Sequence, residues 1–352
     1  MPPAPRACIA RMSAYIPGES AGPDAVKLNQ NENPYPPSPE VARAVAAAAG
    51  RVGRYPDSRS NALRQAAAEV YGVPIESVMA CNGSDEFLRL LFHVFADPGS
   101  TVAAFTPSYT YYKTLADMHD VELRLIPFPD DYSLPPPGDL ARALAGVKIL
   151  FLPNPNAPSG TLYSPEEILG LCDLLPDAVV CADEAYADFS GQTLLPRPAY
   201  RDNLVVTRTF SKGYGLAGLR AGLGFASPAL MEAMEKARDY YNVDVLAQAG
   251  AEAALWDQAY LRETTARIVA TRARLTRALS ERGWRVWPSA ANFVLARLPG
   301  GAARARNVFE ELRRRRVFVR YFTAPRLDDC LRVTVGTDAE TDRLFAALAE
   351  IA

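Results

Sequence analysis

Lys212 is the residue on which a reaction can be built. It lies in the run Arg208-Thr-Phe-Ser-Lys-Gly-Tyr-Gly-Leu-Ala-Gly-Leu-Arg220, with Thr209 and Ser211 just before it and Arg220 eight positions on. The chain has only five lysines (Lys27, Lys113, Lys148, Lys212, Lys236) against thirty-three arginines, which makes the search for an amine nucleophile short. A lysine among small neighbours sheds its hydration shell, releases its proton more easily and becomes a Schiff-base former. Arg220 offers a guanidinium fork that suits a phosphate. A solvated loop lysine is the plain alternative, so the rest of the chain must decide.

Other reactive types follow apolar runs in the same way. Asn82-Gly-Ser-Asp-Glu86 comes after a strand pattern and opens a helix, where free N–H groups and the helix dipole favour an anion. Tyr109, after Phe105 and Pro107, puts an aromatic ring where it could stack on a planar ligand. Asp183 ends the apolar run Val179-Val-Cys-Ala182 and is followed by Glu184-Ala-Tyr186. A carboxylate there needs a cation, which a protonated pyridine nitrogen supplies. Gly213-x-Gly215-x-x-Gly218 has the spacing of a dinucleotide fingerprint but not its context, since it lies outside the first βα unit. Anion cradle, ring, buried carboxylate, lysine and arginine together are what pyridoxal phosphate requires.

These residues need strands and helices to hold them. Apolar runs at 78–81, 101–105, 122–126, 148–152, 179–182, 204–207 and 222–225 alternate with helix-like stretches at 86–95 and 109–118 and a helix opened by Ser164-Pro-Glu-Glu167. The alternation predicts an α/β fold: a three-layer αβα large domain over residues 41–245, with a mostly parallel sheet. Helices are expected at 40–49, 61–71 and 228–238, and one long helical stretch from 246 toward 282. Strands at 284–287, 292–297, 317–320 and 331–335 with helices at 302–312 and 338–351 give a smaller α+β domain over 246–352. Residues 1–40, rich in Pro and Asn but carrying Tyr15, Ile16, Leu28 and Tyr35, read as an ordered arm laid on the body and on a partner subunit.

Composition narrows the function. A chain of 352 residues exceeds one ordinary core, and a net charge of −2 argues against broad nucleic-acid binding. Five scattered cysteines without a CxxC pair and only two histidines suggest neither a disulfide framework nor a metal site. With no apolar leader and no run of eighteen apolar residues, the expected location is the cytoplasm. Arg313 to Arg316 closes a helix pattern, where cations suit the dipole.

The motifs resemble those of fold-type I pyridoxal-phosphate aminotransferases, and more closely the histidinol-phosphate aminotransferase group. The matching blocks run in order from Tyr15-Ile-Pro-Gly18, Asn31-Glu-Asn-Pro34 and Arg54-Tyr-Pro56 through Gly83-Ser-Asp-Glu86 and Asp183-Glu-Ala-Tyr186. They continue through Thr209-Phe-Ser-Lys212, Leu216-Ala-Gly-Leu-Arg220, Tyr241-Asn-Val243, Asn292-Phe293 and Leu331-Arg-Val-Thr-Val-Gly-Thr337. The resemblance implies that Lys212 bonds the cofactor aldehyde and moves the substrate proton, that Asp183 faces the ring nitrogen, and that Tyr186 donates to the ring oxygen O3′. Tyr109 would stack on the ring, while Ser84, Asp85, Thr209, Ser211 and Arg220 would surround the phosphate, joined by Tyr55 across a dimer interface. Arg332 would take the substrate anion, with Arg320, Tyr15 and Asn242 nearby.

The family's Asn-Pro-Thr-Gly is here Ala157-Pro-Ser-Gly160, within Asn154-Pro-Asn-Ala-Pro-Ser-Gly160. Either Asn154 or Asn156 then replaces the lost O3′ donor, with Asn156 the one assigned to the cofactor, or Tyr186 acts alone. The implied reaction is ping-pong amino transfer in a homodimer, with glutamate and 2-oxoglutarate as the common pair and histidinol phosphate as the specific substrate. An aromatic amino-acid aminotransferase and a threonine-phosphate decarboxylase are the rivals on the same fold. A regulatory binding module is a rival of a different class, and it would carry an appended DNA-binding segment.

Overall fold

Runs of Val, Leu, Ile and Ala with no polar alternation are stable only as strands covered on both faces. The computed structural model, which describes residues 3–12, 22 and 24–351, arranges them in two sheets. In chain order the strands are β1 (Val26–Leu28), β2 (Val78–Cys81), β3 (Thr101–Thr106), β4 (Glu122–Pro127), β5 (Ile149–Pro153), β6 (Val179–Asp183), β7 (Leu204–Thr209) and β8 (Gly222–Phe225), then β9 (Arg285–Val286), β10 (Phe293–Arg297), β11 (Val317–Tyr321) and β12 (Cys330–Thr334). The helices are α1 (Ala7–Ala10), α2 (Pro39–Ala48), α3 (Asn61–Tyr71), α4 (Ser84–Phe95), α5 (Tyr111–His119), α6 (Pro137–Ala143), α7 (Pro165–Leu174), α8 (Pro228–Glu235), α9 (Val245–Trp256), α10 (Gln258–Glu281), α11 (Gly301–Arg314) and α12 (Asp338–Ala349).

Among the described residues the large sheet has seven strands in the order β2-β8-β7-β6-β5-β3-β4, and β8 alone runs antiparallel to its neighbours. Phe87, Leu91, Tyr112 and Met234 of α4, α5 and α8 cover one face. Leu63, Leu140, Ile168 and Ala251 of α3, α6, α7 and α9 cover the other. This is the expected three-layer αβα domain with a mostly parallel sheet. The smaller sheet, β1-β11-β12-β10-β9, packs on α10, α11 and α12 through Leu275, Val308 and Leu344.

Two stretches differ from their sequence reading. Val26–Leu28, within the expected arm, pairs in parallel with β11, Val26 opposite Val317, and is buried in the small domain's core. Three residues are too few for a period to show. The long helical stretch from 246 breaks at Asp257, whose side chain accepts from the Tyr260 N–H and from Ser38 Oγ. The first half, α9, packs on α2 and α3 of the large domain. In α10, Leu261 joins the large-domain core while Ile268, Leu275 and Leu279 join the small one, so packing changes domain inside this helix rather than at residue 246.

Candidate active site

The carboxyl ends of parallel strands are where open α/β sheets collect ligands. Here β6 ends on Asp183 and β7 on Thr209, and both line a cavity of about 420 Å³ with Lys212, Tyr186, Ser84, Asp85, Tyr109, Ser211, Arg220, Arg320 and Arg332. Eleven of the expected site residues are therefore brought together by the fold.

Asp183 is 4% exposed. Its Oδ2 accepts from Tyr112 Oη at 3.0 Å, and its Oδ1 accepts from Thr207 Oγ1 at 3.0 Å and from the Ala185 N–H at 3.2 Å. Burial pushes its pKa up to about 6 against the pull of the Thr207 and Tyr112 hydrogen bonds. A carboxylate so placed gains from a cationic partner in the cavity. Tyr112 and Thr207 escaped the sequence reading. The spacing of Tyr112 from Tyr109 at a helix start was the only signal for the first, and Thr207 inside an apolar strand gave none.

The anion cradle is built from close backbone approach. Gly83, with φ 72°, precedes α4 and no side chain caps that helix. A Cβ on Gly83 would stand 2.5 Å from Arg220 Nη2, and one on Gly222 of β8 would overlap the Ser84 nitrogen. Arg220 thus lies against the N-terminus of α4, held by Asp85 Oδ2 at 3.3 Å and donating to Ser211 Oγ at 3.5 Å. Helix N–H groups, two hydroxyls and a guanidinium around one point fit a phosphate. Tyr109 Oη donates to Asp85 at 3.3 Å, and its ring meets that of Tyr112 edge-on at 5.5 Å.

Lys212 Nζ donates to the Gln30 carbonyl at 3.3 Å and lies 5.8 Å from the Tyr186 ring centroid. Its loop is clasped from outside by Asn33, whose amide donates to the carbonyls of Lys212 and Gly213 at 3.1 and 2.8 Å. Beneath the loop, Arg208 is buried between Glu184 and Asp188, and a Cβ on Gly213 would collide with Asp188. Arg332 Nη2 donates to the Asn29 carbonyl at 3.0 Å. Residues 29–33 therefore run as a strap past Lys212, Tyr186 and Arg332, a role invisible in a segment without periodicity.

Three expectations change. Asn156 is fully buried outside the cavity wall: it accepts from Ser108 Oγ at 2.8 Å and donates to Ser159 Oγ at 2.9 Å. Asn154 exchanges hydrogen bonds with the Tyr163 backbone, so neither amide replaces the one absent at Ala157, which does line the cavity. Asn242 donates to the Ala80 carbonyl and Glu86, and accepts from Arg238, which makes it a brace between the segment after α8 and the ends of β2 and α4, away from the cavity lining. Tyr55, expected to act across a dimer interface, is 81% exposed, stacks on Tyr241 at 4.4 Å and borders a groove apart from the cavity. Tyr15 lies outside the described residues.

The donor set fits a phosphorylated pyridine aldehyde: a phosphate cradle at one end, a buried carboxylate at the other, a lysine beside them. Comparison with known proteins agrees. Residues 23–348 match the aminotransferase class I and II family. The chain is 44% identical over 346 residues to a histidinol-phosphate aminotransferase of Geotalea daltonii, covering 97% of this chain and 98% of that protein. It is 42% identical over 347 residues to one from Synechocystis, covering 98% and 97%. The structure superposes with TM-score 0.89 on the crystal structure of a histidinol-phosphate aminotransferase from Sinorhizobium meliloti in complex with pyridoxal-5′-phosphate, at 29% identity, with 98% of this chain and 96% of that one covered. The chain belongs to the aminotransferase class I and II family, within its histidinol-phosphate aminotransferase group.

Proposed function

We propose that this enzyme transfers an amino group between histidinol phosphate and 2-oxoglutarate, a step of histidine biosynthesis, with pyridoxal phosphate as cofactor. The observation that carries the reading is the pairing of Arg320 on β11 with Arg332 on β12 as cross-strand neighbours, both lining the cavity that holds Lys212 and Asp183. Two cations on one wall suit a dianionic phosphate, and the same forks suit the carboxylate of glutamate when the substrates alternate.

When bound, the cofactor supplies the electron sink for chemistry at the substrate α-carbon. Asp183 would hold the ring nitrogen protonated, which maintains that sink. Arg220, Ser211, Thr209 and the first turn of α4 would hold the phosphate, and Tyr109 would lie against the ring face. Tyr186 would donate to the ring oxygen. Lys212 Nζ would be the base that holds and moves the substrate proton.

A homodimer is part of the proposal. Val52, Tyr55, Tyr240 and Trp256 are exposed apolar side chains around the α2–α9 surface and the loop before α9, and such a patch favours a covered face. Tyr55 would then reach the phosphate of the other protomer. All five cysteines are free, which suits a reducing cytoplasm. Among the described residues no helix is long and apolar enough to cross a membrane.

A half-reaction screen tests the reading, with the absorbance of bound cofactor followed on adding each amino donor alone. Histidinol phosphate is expected to convert it fastest. Equal or faster conversion by phenylalanine or tyrosine transfers the assignment to aromatic substrates, and carbon dioxide release from threonine phosphate transfers it to decarboxylation.

A further inference from the structure

Tyr186 has one hydroxyl proton, and its usefulness at the cavity depends on where that proton points. A phenol donates once and accepts up to twice. Asn31 Nδ2 donates to Tyr186 Oη at 2.9 Å. This fills an acceptor position on the phenol and leaves its proton to be given to something else.

The direction of that bond is set by the surroundings. The Asn31 N–H donates to Thr334 Oγ1 at 3.0 Å, and Thr334 Oγ1 in turn donates to Asn31 Oδ1 at 2.9 Å. With its oxygen engaged by Thr334, the amide can present only its NH₂ group to Tyr186. The Asn31 carbonyl accepts from Asn292 Nδ2 at 3.0 Å, so backbone and side chain are both fixed. Asn31 is 1% exposed and has φ 56°, a left-handed conformation that Asn and Gly adopt most readily. The Tyr186 ring meets Phe293 edge-on at 5.0 Å, and Ala157, which lines the cavity, packs beside both rings without a polar group of its own.

We propose that Asn31 is a positioning residue that fixes the Tyr186 hydroxyl as a donor into the cavity, toward the ring oxygen of bound pyridoxal phosphate. This rests on the cofactor reading above. The relay Thr334–Asn31–Tyr186 starts on β12, two residues beyond Arg332. The strand that offers Arg332 to the substrate anion therefore also sets the donor at the cofactor, and a wall lacking an amide at residue 157 depends on that single donor.

The test is the pH midpoint of the visible absorbance of the holoenzyme without substrate, measured for Asn31→Gly, Tyr186→Phe and the parent. Glycine tolerates the left-handed backbone and adds no charge, so the variant removes the side-chain amide while keeping the native backbone conformation accessible. A donor at the ring oxygen stabilises the form in which that oxygen's charge is not shared with the neighbouring iminium proton, so its loss raises the midpoint. Asn31→Gly is expected to raise it by about half a unit to one unit, as one neutral hydrogen bond implies, and Tyr186→Phe by at least as much. If Tyr186→Phe raises the midpoint and Asn31→Gly leaves it in place, the positioning role is overturned while the site stands. If neither variant moves it, Tyr186 does not meet the cofactor, and the inference falls with that assignment. A purely structural Asn31 would lower the melting temperature without moving the midpoint.

Discussion

Arg320 and Arg332 sit directly opposite each other on the antiparallel strands β11 and β12 and line the same cavity. Like charges so placed repel, and an anion between them would relieve the repulsion. Phe322 lies beneath both, 5.5 Å from the Arg320 guanidinium and 5.7 Å from that of Arg332. Replacing Arg332 by lysine keeps the charge and removes the fork. KM for histidinol phosphate and for glutamate should rise together, by roughly 10- to 100-fold for one charge-assisted hydrogen bond lost from the fork. A rise for only one substrate, in half-reactions measured separately, would show that the two anions do not share this arginine.

Asp183 should make the apoprotein less stable as pH rises. Its pKa in the fold is about 6, above the ordinary 3.8, so the folded protein holds a proton that the unfolded chain has released in between. The stabilisation is full below about pH 4 and lost as pH climbs through 6, on the order of 3 kcal/mol in all. Asp183→Asn should flatten that dependence, raise the apoprotein's melting temperature at pH 7 and weaken cofactor retention. An apoprotein destabilised at pH 7 by the change would contradict the account.

Arg208 is a structural counterpart. Its side chain and those of Glu184 and Asp188 are all 9% exposed or less. Arg208→Ala would leave two carboxylates buried without their cation, at about 3–5 kcal/mol. Urea unfolding would measure this, and because Asp188 supports Gly213, cofactor affinity should fall as well.

Asn242 gives the opposite signature to a substrate ligand. Asn242→Ala removes hydrogen bonds to Ala80, Glu86 and Arg238, which should lower stability by about 1–3 kcal/mol. KM for both substrates should stay unchanged. A selective rise in one KM would return Asn242 to the substrate site.

Where side-chain period and chemistry agree, the structure was legible beforehand. Helix 61–71 and strands 78–81 and 222–225 have the bounds that apolar runs and flanking turns imply. Lys212, Asp183 and Arg220 stood out because a reactive group at the end of a buried run has few plain explanations. The contributions of Gln30, Asn31 and Asn33 did not, because they act through carbonyls and amides that any loop possesses, and only tertiary placement gives them partners. Asn156 and Asn242 misled for the related reason that an amide fits a cofactor and a buried backbone equally well. The break at Asp257 was hidden because a helix cap and a helix interior share the same apolar flanks.

The parallel pairing of Val26–Leu28 with Val317–Val319 joins one end of the chain to the other. During synthesis the first strand waits for β11 and β12 to leave the ribosome, and the strap that follows it has no anchor at Thr334 or Asn292 until then. A nascent chain halted after α10 would have Lys212, Asp183 and the phosphate cradle but no roof over them. Full closure over a cofactor would thus come late in the life of the polypeptide, timed by the last strands to be made.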